Sequence, residues 1–80
     1  MTASGITMYG AAWCSDCRRS KKLLDASGIE YDYVDVEHDP AMAEKAQQIA
    51  GRQNIPVITF ADGSFLVEPS DAELAAKLPA

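Results

Sequence analysis

The hydrophobic rhythm of the chain changes repeatedly, and each change predicts an element. Residues 5–9, with the run Ile6-Thr7-Met8-Tyr9, predict a first strand. Residues 15–27 carry helical spacing with Leu23 and Leu24 facing inward, and Gly28 is placed to stop the helix. Residues 29–36 alternate, with Ile29, Tyr31, Tyr33 and Asp35 against Glu30, Asp32, Val34 and Val36, which predicts a strand with an acidic edge. Asp39-Pro40 then predicts a helix start, Asp39 as the N-cap and Pro40 at the first helical position. Met42, Ala46, Ile49 and Ala50 recur at helical spacing as core positions, and Gly51 ends the run. Residues 56–60 predict a third strand, Ala61-Asp62-Gly63-Ser64 a hairpin turn, and residues 64–67 a fourth strand. Ser70-Asp71-Ala72-Glu73 has the form of a capping box, opening a last helix that runs to about Leu78.

The predicted order is β-α-β-α-β-β-α. Strands joined through a helix run parallel with a right-handed crossover, and strands joined by a tight turn run antiparallel. The expected architecture is α/β: a mixed four-stranded sheet with helices on both faces. Eighty residues and a hydrophobic fraction of 48% fit one small globular domain spanning residues 1–80. Nothing at the start resembles a signal peptide, and no apolar run is long enough to span a membrane, so the cytoplasm is the expected location. The net charge of −5 argues against nucleic acid as a partner. That charge is uneven: Arg18, Arg19, Lys21 and Lys22 form a basic stretch, and Glu30, Asp32, Asp35, Glu37 and Asp39 an acidic one. The plainer reading is two solvated faces, and the sharper one is steering of a charged partner protein towards the thiol.

The chemistry centres on Trp13-Cys14-Ser15-Asp16-Cys17, which holds both cysteines of the chain. Residues i and i+3 share a helix face with Cβ atoms about 5–6 Å apart, close enough for a disulfide with little backbone movement. Closing so short a loop would add only about 2 kcal/mol, which suits a bond that opens and closes better than a structural staple. The helix start and the cations after it favour a thiolate at Cys14. Asp16 opposes them, unless it is spent on helix N–H groups, and the balance is open at this level. Cys14, nearer the loop, is the expected nucleophile, and Cys17, one turn in, the expected resolving thiol. Arg18 and Asp16 are the expected modulators. A zinc site is the weaker reading, because a second cysteine pair is missing and His38 with nearby carboxylates would have to complete it.

Asn54-Ile55-Pro56 precedes the third strand. Proline belongs at a strand start because it cannot donate to a ladder. From local sequence, a plain strand-initiating proline is expected rather than a cis bond, since cis X–Pro bonds are only about 5–6% of the total. A cis bond would turn the Ile55 backbone outward, where it could pair with an extended thiol ligand like an added strand.

Together, Trp13-Cys14-x-x-Cys17 after a short strand, Ile55-Pro56-Val57 before the third, and Asp62-Gly63-Ser64 in the hairpin resemble the glutaredoxin family of the thioredoxin fold. The likeness covers nearly the whole chain. Val34-Asp35-Val36-Glu37-His38, the Phe60–Ser64 stretch and Pro69-Ser70 are similar to the mycoredoxin branch of actinobacteria. The resemblance implies Cys14 as nucleophile, Cys17 as resolving or modulating thiol, Pro56 as a cis-proline, and Ile55 holding the backbone of the thiol ligand. Trp13, Ser70 and Asp71 fall in the implied ligand-binding region. The implied activity is reduction of protein disulfides, or of mixed disulfides between proteins and a low-molecular-weight thiol, by a monomer with no tightly bound cofactor. Its partners would be oxidised or S-thiolated proteins, the small thiol (mycothiol or glutathione) and a disulfide reductase.

The chain departs from the family at two positions. Many glutaredoxins carry Lys three residues before the first cysteine, where this chain has Ala11, and Tyr before the second, where it has Asp16. Lys helps hold a glutathione carboxylate and Asp16 would repel one, so the expected thiol is one without carboxylates, such as mycothiol. Three rivals rank lower. An NrdH-type redoxin reduced directly by thioredoxin reductase usually has Trp-Ser-Gly-Phe-Arg where Phe65-Leu66-Val67-Glu68-Pro69 stands here. A non-enzymatic iron–sulfur carrier usually has Ser at the second cysteine. A redox-sensing module would not turn over a small disulfide at catalytic rates.

Overall fold

The computed structural model describes residues 5–78. The elements are β1 (Thr7–Gly10), α1 (Ser15–Ala26), β2 (Asp32–Asp35), α2 (Pro40–Ala50), β3 (Val57–Thr59), β4 (Phe65–Val67) and α3 (Asp71–Lys77). This is the expected β-α-β-α-β-β-α order, with every strand trimmed at one or both ends. The loss is greatest at β2, which was expected to run from 29 to 36. That strand lies at the edge of the sheet, and its ladder lasts only as long as β1 does, from Thr7 opposite Asp32 to Gly10 opposite Asp35.

The spatial order β2-β1-β3-β4 puts the parallel β1–β2 pair on one side and the antiparallel β1–β3 and β3–β4 pairs on the other. Successive strand residues face opposite sides, so the partners Met8 and Ile58 go to one layer and Tyr9 and Val57 to the other. Met8 and Ile58 pack with Cys17 and Leu24 of α1 and with Leu74 of α3. Tyr9 and Val57 pack with Ala46 of α2, against Val34, Val36, Ile49, Ala50 and Val67. Helices therefore cover both faces. Leu24 is fully buried, Leu23 packs against the same cluster while staying half-buried, and Met42 is half-buried.

The helix ends are made by the expected residues. Asp39 accepts a bond from the Met42 amide at 3.3 Å, and Gly51 takes φ +76 at the far end of α2. At α3, the Ser70 hydroxyl accepts from the Glu73 amide at 3.1 Å, and the Glu73 carboxylate accepts from the Ser70 amide at 2.9 Å. That reciprocal box is what lets a helix as short as α3 start cleanly. In the hairpin, one Asp62 oxygen accepts from both the amide and the hydroxyl of Ser64, at 2.9 and 2.6 Å.

Ser20 breaks the pattern. It lies in α1, is 1% exposed, and its hydroxyl has no hydrogen-bond partner among the described residues. A buried hydroxyl without a partner costs about 1–3 kcal/mol, and Ala is the better helix former. Ser20→Ala is expected to raise the thermal midpoint, readable by differential scanning calorimetry; a lowered midpoint would mean that the hydroxyl is satisfied in solution.

Candidate active site

The strand-to-helix turn after β1 brings the sulfur groups to the C-terminal end of the parallel pair. Cys14 is the N-cap of α1: its backbone is extended (φ −82, ψ 118), and its Sγ accepts a bond from the Cys17 amide at 3.2 Å. One of the helix's orphan donors therefore points at the Cys14 sulfur, which is the arrangement that favours an anion there. Helix-capping is thus done by Cys14 itself and not by Asp16.

Both cysteines are free thiols, Cys14 half-exposed and Cys17 buried. Burial, reinforced by the Cys14 sulfur and by the charge of Asp16, pushes the Cys17 thiol up from its ordinary 9.0 to about 12, with a backbone contact from Ala11 pulling the other way. The linkage follows from that direction. Below pH 9 the thiol is protonated in folded and unfolded chains alike and its contribution to stability is complete; above it only the unfolded chain ionises, so stability falls as the pH rises towards 12. The reduced protein should lose thermal stability over this window more steeply than Cys17→Ala, read from melting curves at stepped pH. Parallel curves would contradict the buried thiol.

Cys17 also explains Gly10. A Cβ on Gly10 would come within 3.0 Å of the Cys17 Sγ and 3.2 Å of its Cβ, so any side chain there would force the second cysteine to shift.

The opposite wall comes from the loop before β3. The Ile55–Pro56 peptide is cis, which corrects the reading from local sequence and agrees with what the family resemblance implied. Pro56 is buried, and its carbonyl accepts from the Glu68 amide at 2.9 Å, so β4 holds this turn. The Ile55 carbonyl faces Cys14 and accepts from its thiol at 3.8 Å. Beside this contact, Trp13 stands 65% exposed at the rim of a groove of about 320 Å³. The groove is floored by Ala11, Val36, Ala43 and Ala46, and its polar lining is Glu37, Gln47, Arg52, Gln53 and Asn54. Such a mostly apolar cleft with a few polar groups is the usual form of a small-ligand site.

The β4–α3 turn, with Ser70 and Asp71, lies outside that groove lining and is tied to α1 by Arg19. Its guanidinium meets the Asp16 carboxylate at 3.2 Å, the Asp71 carboxylate at 3.5 Å and the Pro69 carbonyl at 3.2 Å. One cation thus joins the two anions singled out from sequence. Arg18, the expected modulator, donates to the Ala12 carbonyl at 2.9 Å, where it braces the loop. The Ser70 side chain is committed to its capping box. Sequence reasoning missed Arg19 as the link; its signals were membership of the basic run at 18–22 and its i, i+3 spacing from Asp16 on α1. It also missed Glu68, which sits at φ +49, a region uncommon for side chains other than Asn and Asp, and whose carboxylate accepts from Asn54 at 3.1 Å. The His38 ring lies 2.7 Å from Asp35, and among the described residues no group of three or more His, Cys, Asp or Glu side chains could hold a metal ion. Among the same residues no helix is long and apolar enough to cross a membrane.

This geometry has counterparts in known proteins. The glutaredoxin family model matches residues 6–66. A glutaredoxin-type protein of Mycobacterium tuberculosis is 43% identical over 79 residues, covering 98% of this chain and 94% of the relative. Mycoredoxin 1 of Corynebacterium glutamicum is 36% identical over 78 residues, covering 96% of each. The backbone matches that of the NrdH-redoxin of Escherichia coli with a TM-score of 0.78 at 24% identity, over 94% of this chain and 96% of that one, a likeness of thioredoxin-like fold alone. With a family match over most of its length and relatives of this identity along nearly all of it, the chain belongs to the glutaredoxin family and is a glutaredoxin-like redox protein.

Proposed function

We propose that this protein is a mycoredoxin-like thiol–disulfide oxidoreductase that takes a carboxylate-free small thiol, mycothiol, from S-thiolated proteins. The observation that carries the reading is the Cys14 sulfur at the N-cap of α1, facing the outward carbonyl of Ile55 at 3.8 Å. In the first step the Cys14 thiolate attacks the small-thiol sulfur of the mixed disulfide. That S–S bond breaks, a new one forms to Cys14, and the target cysteine leaves as a thiolate that takes up a proton. A second molecule of the small thiol, as its thiolate, then attacks the small-thiol sulfur of the adduct, leaves as the symmetrical small-thiol disulfide and returns Cys14 as a thiolate. In the other branch the Cys17 thiolate attacks the Cys14 sulfur, closes the Cys14–Cys17 disulfide and expels the small thiol as a thiolate. With a protein disulfide as substrate, only closure by Cys17 completes the reaction, and a disulfide reductase must then reopen the ring.

The backbone of Ile55 before Pro56 pairs with the ligand's own backbone, and Trp13 covers its apolar part. The choice of thiol rests on what lines the walls. Ala11 offers no cation at the groove floor, the amides of Gln47, Gln53 and Asn54 suit hydroxyl groups, and the Arg19 cation is already held by Asp16 and Asp71. Likeness to Corynebacterium glutamicum mycoredoxin 1 supports the same choice. Rates of reduction of one target protein carrying either mycothiol or glutathione test it. The mycothiol adduct is expected to react at least about tenfold faster, the value of one charge-assisted contact. Equal rates would sink the assignment of the thiol.

A further inference from the structure

On the α1 side of the motif, Cys17 lines a second recess, of about 240 Å³, with Ala11, Ala12, Arg18, Lys21 and Tyr33 around it. The function proposed above does not use it, yet closure of the Cys14–Cys17 ring poses a problem that it answers. Cys17 is 1% exposed and holds its proton firmly. In the free enzyme the Cys14 sulfur sits beside it. Once Cys14 is bound in a mixed disulfide, that sulfur is neutral and cannot take the proton, and the ligand covers the Trp13 side. The proton has to leave by another path, and the thiolate left behind has to be stabilised away from bulk water.

The recess offers both. Lys21 is one helical turn beyond Cys17 on the same face of α1. Its ammonium lies 5.8 Å from the Tyr33 ring centroid and 3.1 Å from Asp25, which holds it at the recess wall. The titratable groups that act on Cys17 are Cys14 and Asp16 on α1; Arg18, Lys21 and the β2 residue Tyr33 line the recess with it, Tyr33 also feels Asp35, and Lys21 is itself bonded to Asp25 and Tyr31. Asp16 is met by Arg19, Asp35 by His38, and the Arg18 guanidinium is committed to Ala12. Burial keeps the Tyr33 phenol above its ordinary range, so it stays neutral where the enzyme works. The charged side chains that line the recess are therefore the cations Arg18 and Lys21.

We propose that this recess is the route by which Cys17 loses its proton to solvent during ring closure, and that Lys21 is the cation that stabilises the thiolate formed there. The step balances. The Cys17 S–H bond breaks and its proton passes to water in the recess. The Cys17 sulfur then bonds to Cys14, the Cys14–ligand S–S bond breaks, and the ligand departs as a thiolate. Cys17 as resolving thiol is taken from the function proposed above.

Stopped-flow mixing of the reduced protein with dipyridyl disulfide, an uncharged reagent, reads both steps in one trace. One pyridinethione is released when Cys14 attacks and a second when Cys17 closes the ring. Lys21→Gln is expected to slow the second phase about threefold at neutral pH and move its pH profile upward, leaving the first phase unchanged. Ala12→Leu, which narrows the recess mouth, is expected to slow the second phase likewise. A second phase indifferent to Lys21→Gln and Ala12→Leu, or both phases changed in equal proportion, overturns the role of the recess. Release of a single equivalent by the unsubstituted protein overturns Cys17 as resolving thiol, and the proposal with it.

Discussion

Replacing Cys14 by Ser is expected to abolish reduction of mixed disulfides, by at least about 10³-fold, while leaving the fold and its melting temperature nearly unchanged. The asymmetry comes from where the residue sits. Cys14 is the N-cap of α1, and its side chain accepts from the Cys17 amide. Serine is among the best residues for that task, so the helix start survives the exchange. The hydroxyl, however, is far too weakly acidic to act as the sulfur does. Turnover with a mixed-disulfide substrate, alongside far-UV circular dichroism, separates the two effects. Substantial residual turnover in a folded Cys14→Ser protein would mean that another group carries the chemistry.

Leu74→Ala is expected to have the second largest effect, this time on stability, at about 2–5 kcal/mol. Leu74 is fully buried and is the one buried residue of α3, and it joins that helix to Met8, Leu24 and Ile58. The helix has seven residues, too few to persist without packing. A domain of this size has roughly 5–15 kcal/mol of total stability, so the loss is a large share of it. The effect should reach α1 and its cysteines, because α3 begins at the Ser70–Asp71 turn that Arg19 ties to α1. Urea denaturation should show a lower midpoint, and hydrogen exchange should show faster opening at residues 70–77. An unchanged midpoint would mean that α3 is not anchored through Leu74.

The parts of this fold written in local chemistry could be read from the sequence. Asp39-Pro40, Ser70 with Glu73, and Asp62-Gly63-Ser64 each carry their structure in a few adjacent side chains, and all form as expected. The two-layer core followed from apolar spacing for the same reason. Features set by distant partners were less legible. The length of β2 depends on how far β1 reaches beside it, which alternation in residues 29–36 cannot report. The cis bond at Ile55–Pro56 is uncommon by local statistics, and only the family likeness pointed to it.

The site divides the same way. The spacing of Cys14 and Cys17 places them on one helix turn, and the structure gives each a different exposure, as expected for residues at its start and one turn in. The ties of Arg19 to Pro69 and Asp71 cross up to 52 positions of the chain and no local signal announces them, whereas its pair with Asp16 is a local i, i+3 contact. That pair also answers a question that the motif left open, since Asp16 spends its charge on Arg19 rather than on the helix start. Gly10 is similar: its lack of a side chain reads as an ordinary strand-end glycine until Cys17 is seen against it.

The central claim is that Cys14 carries a carboxylate-free small thiol between target proteins and the thiol pool. The most direct test uses the Cys17→Ser protein with no free small thiol added, so that neither ring closure nor a second thiol can remove the adduct. After reaction with a target protein carrying mycothiol, mass spectrometry of the peptide containing Cys14 is predicted to show the mass of one mycothiol, removable by a reducing agent. A Cys14 peptide that stays unmodified, or that gains glutathione as readily when both adducts are offered together, would contradict the account.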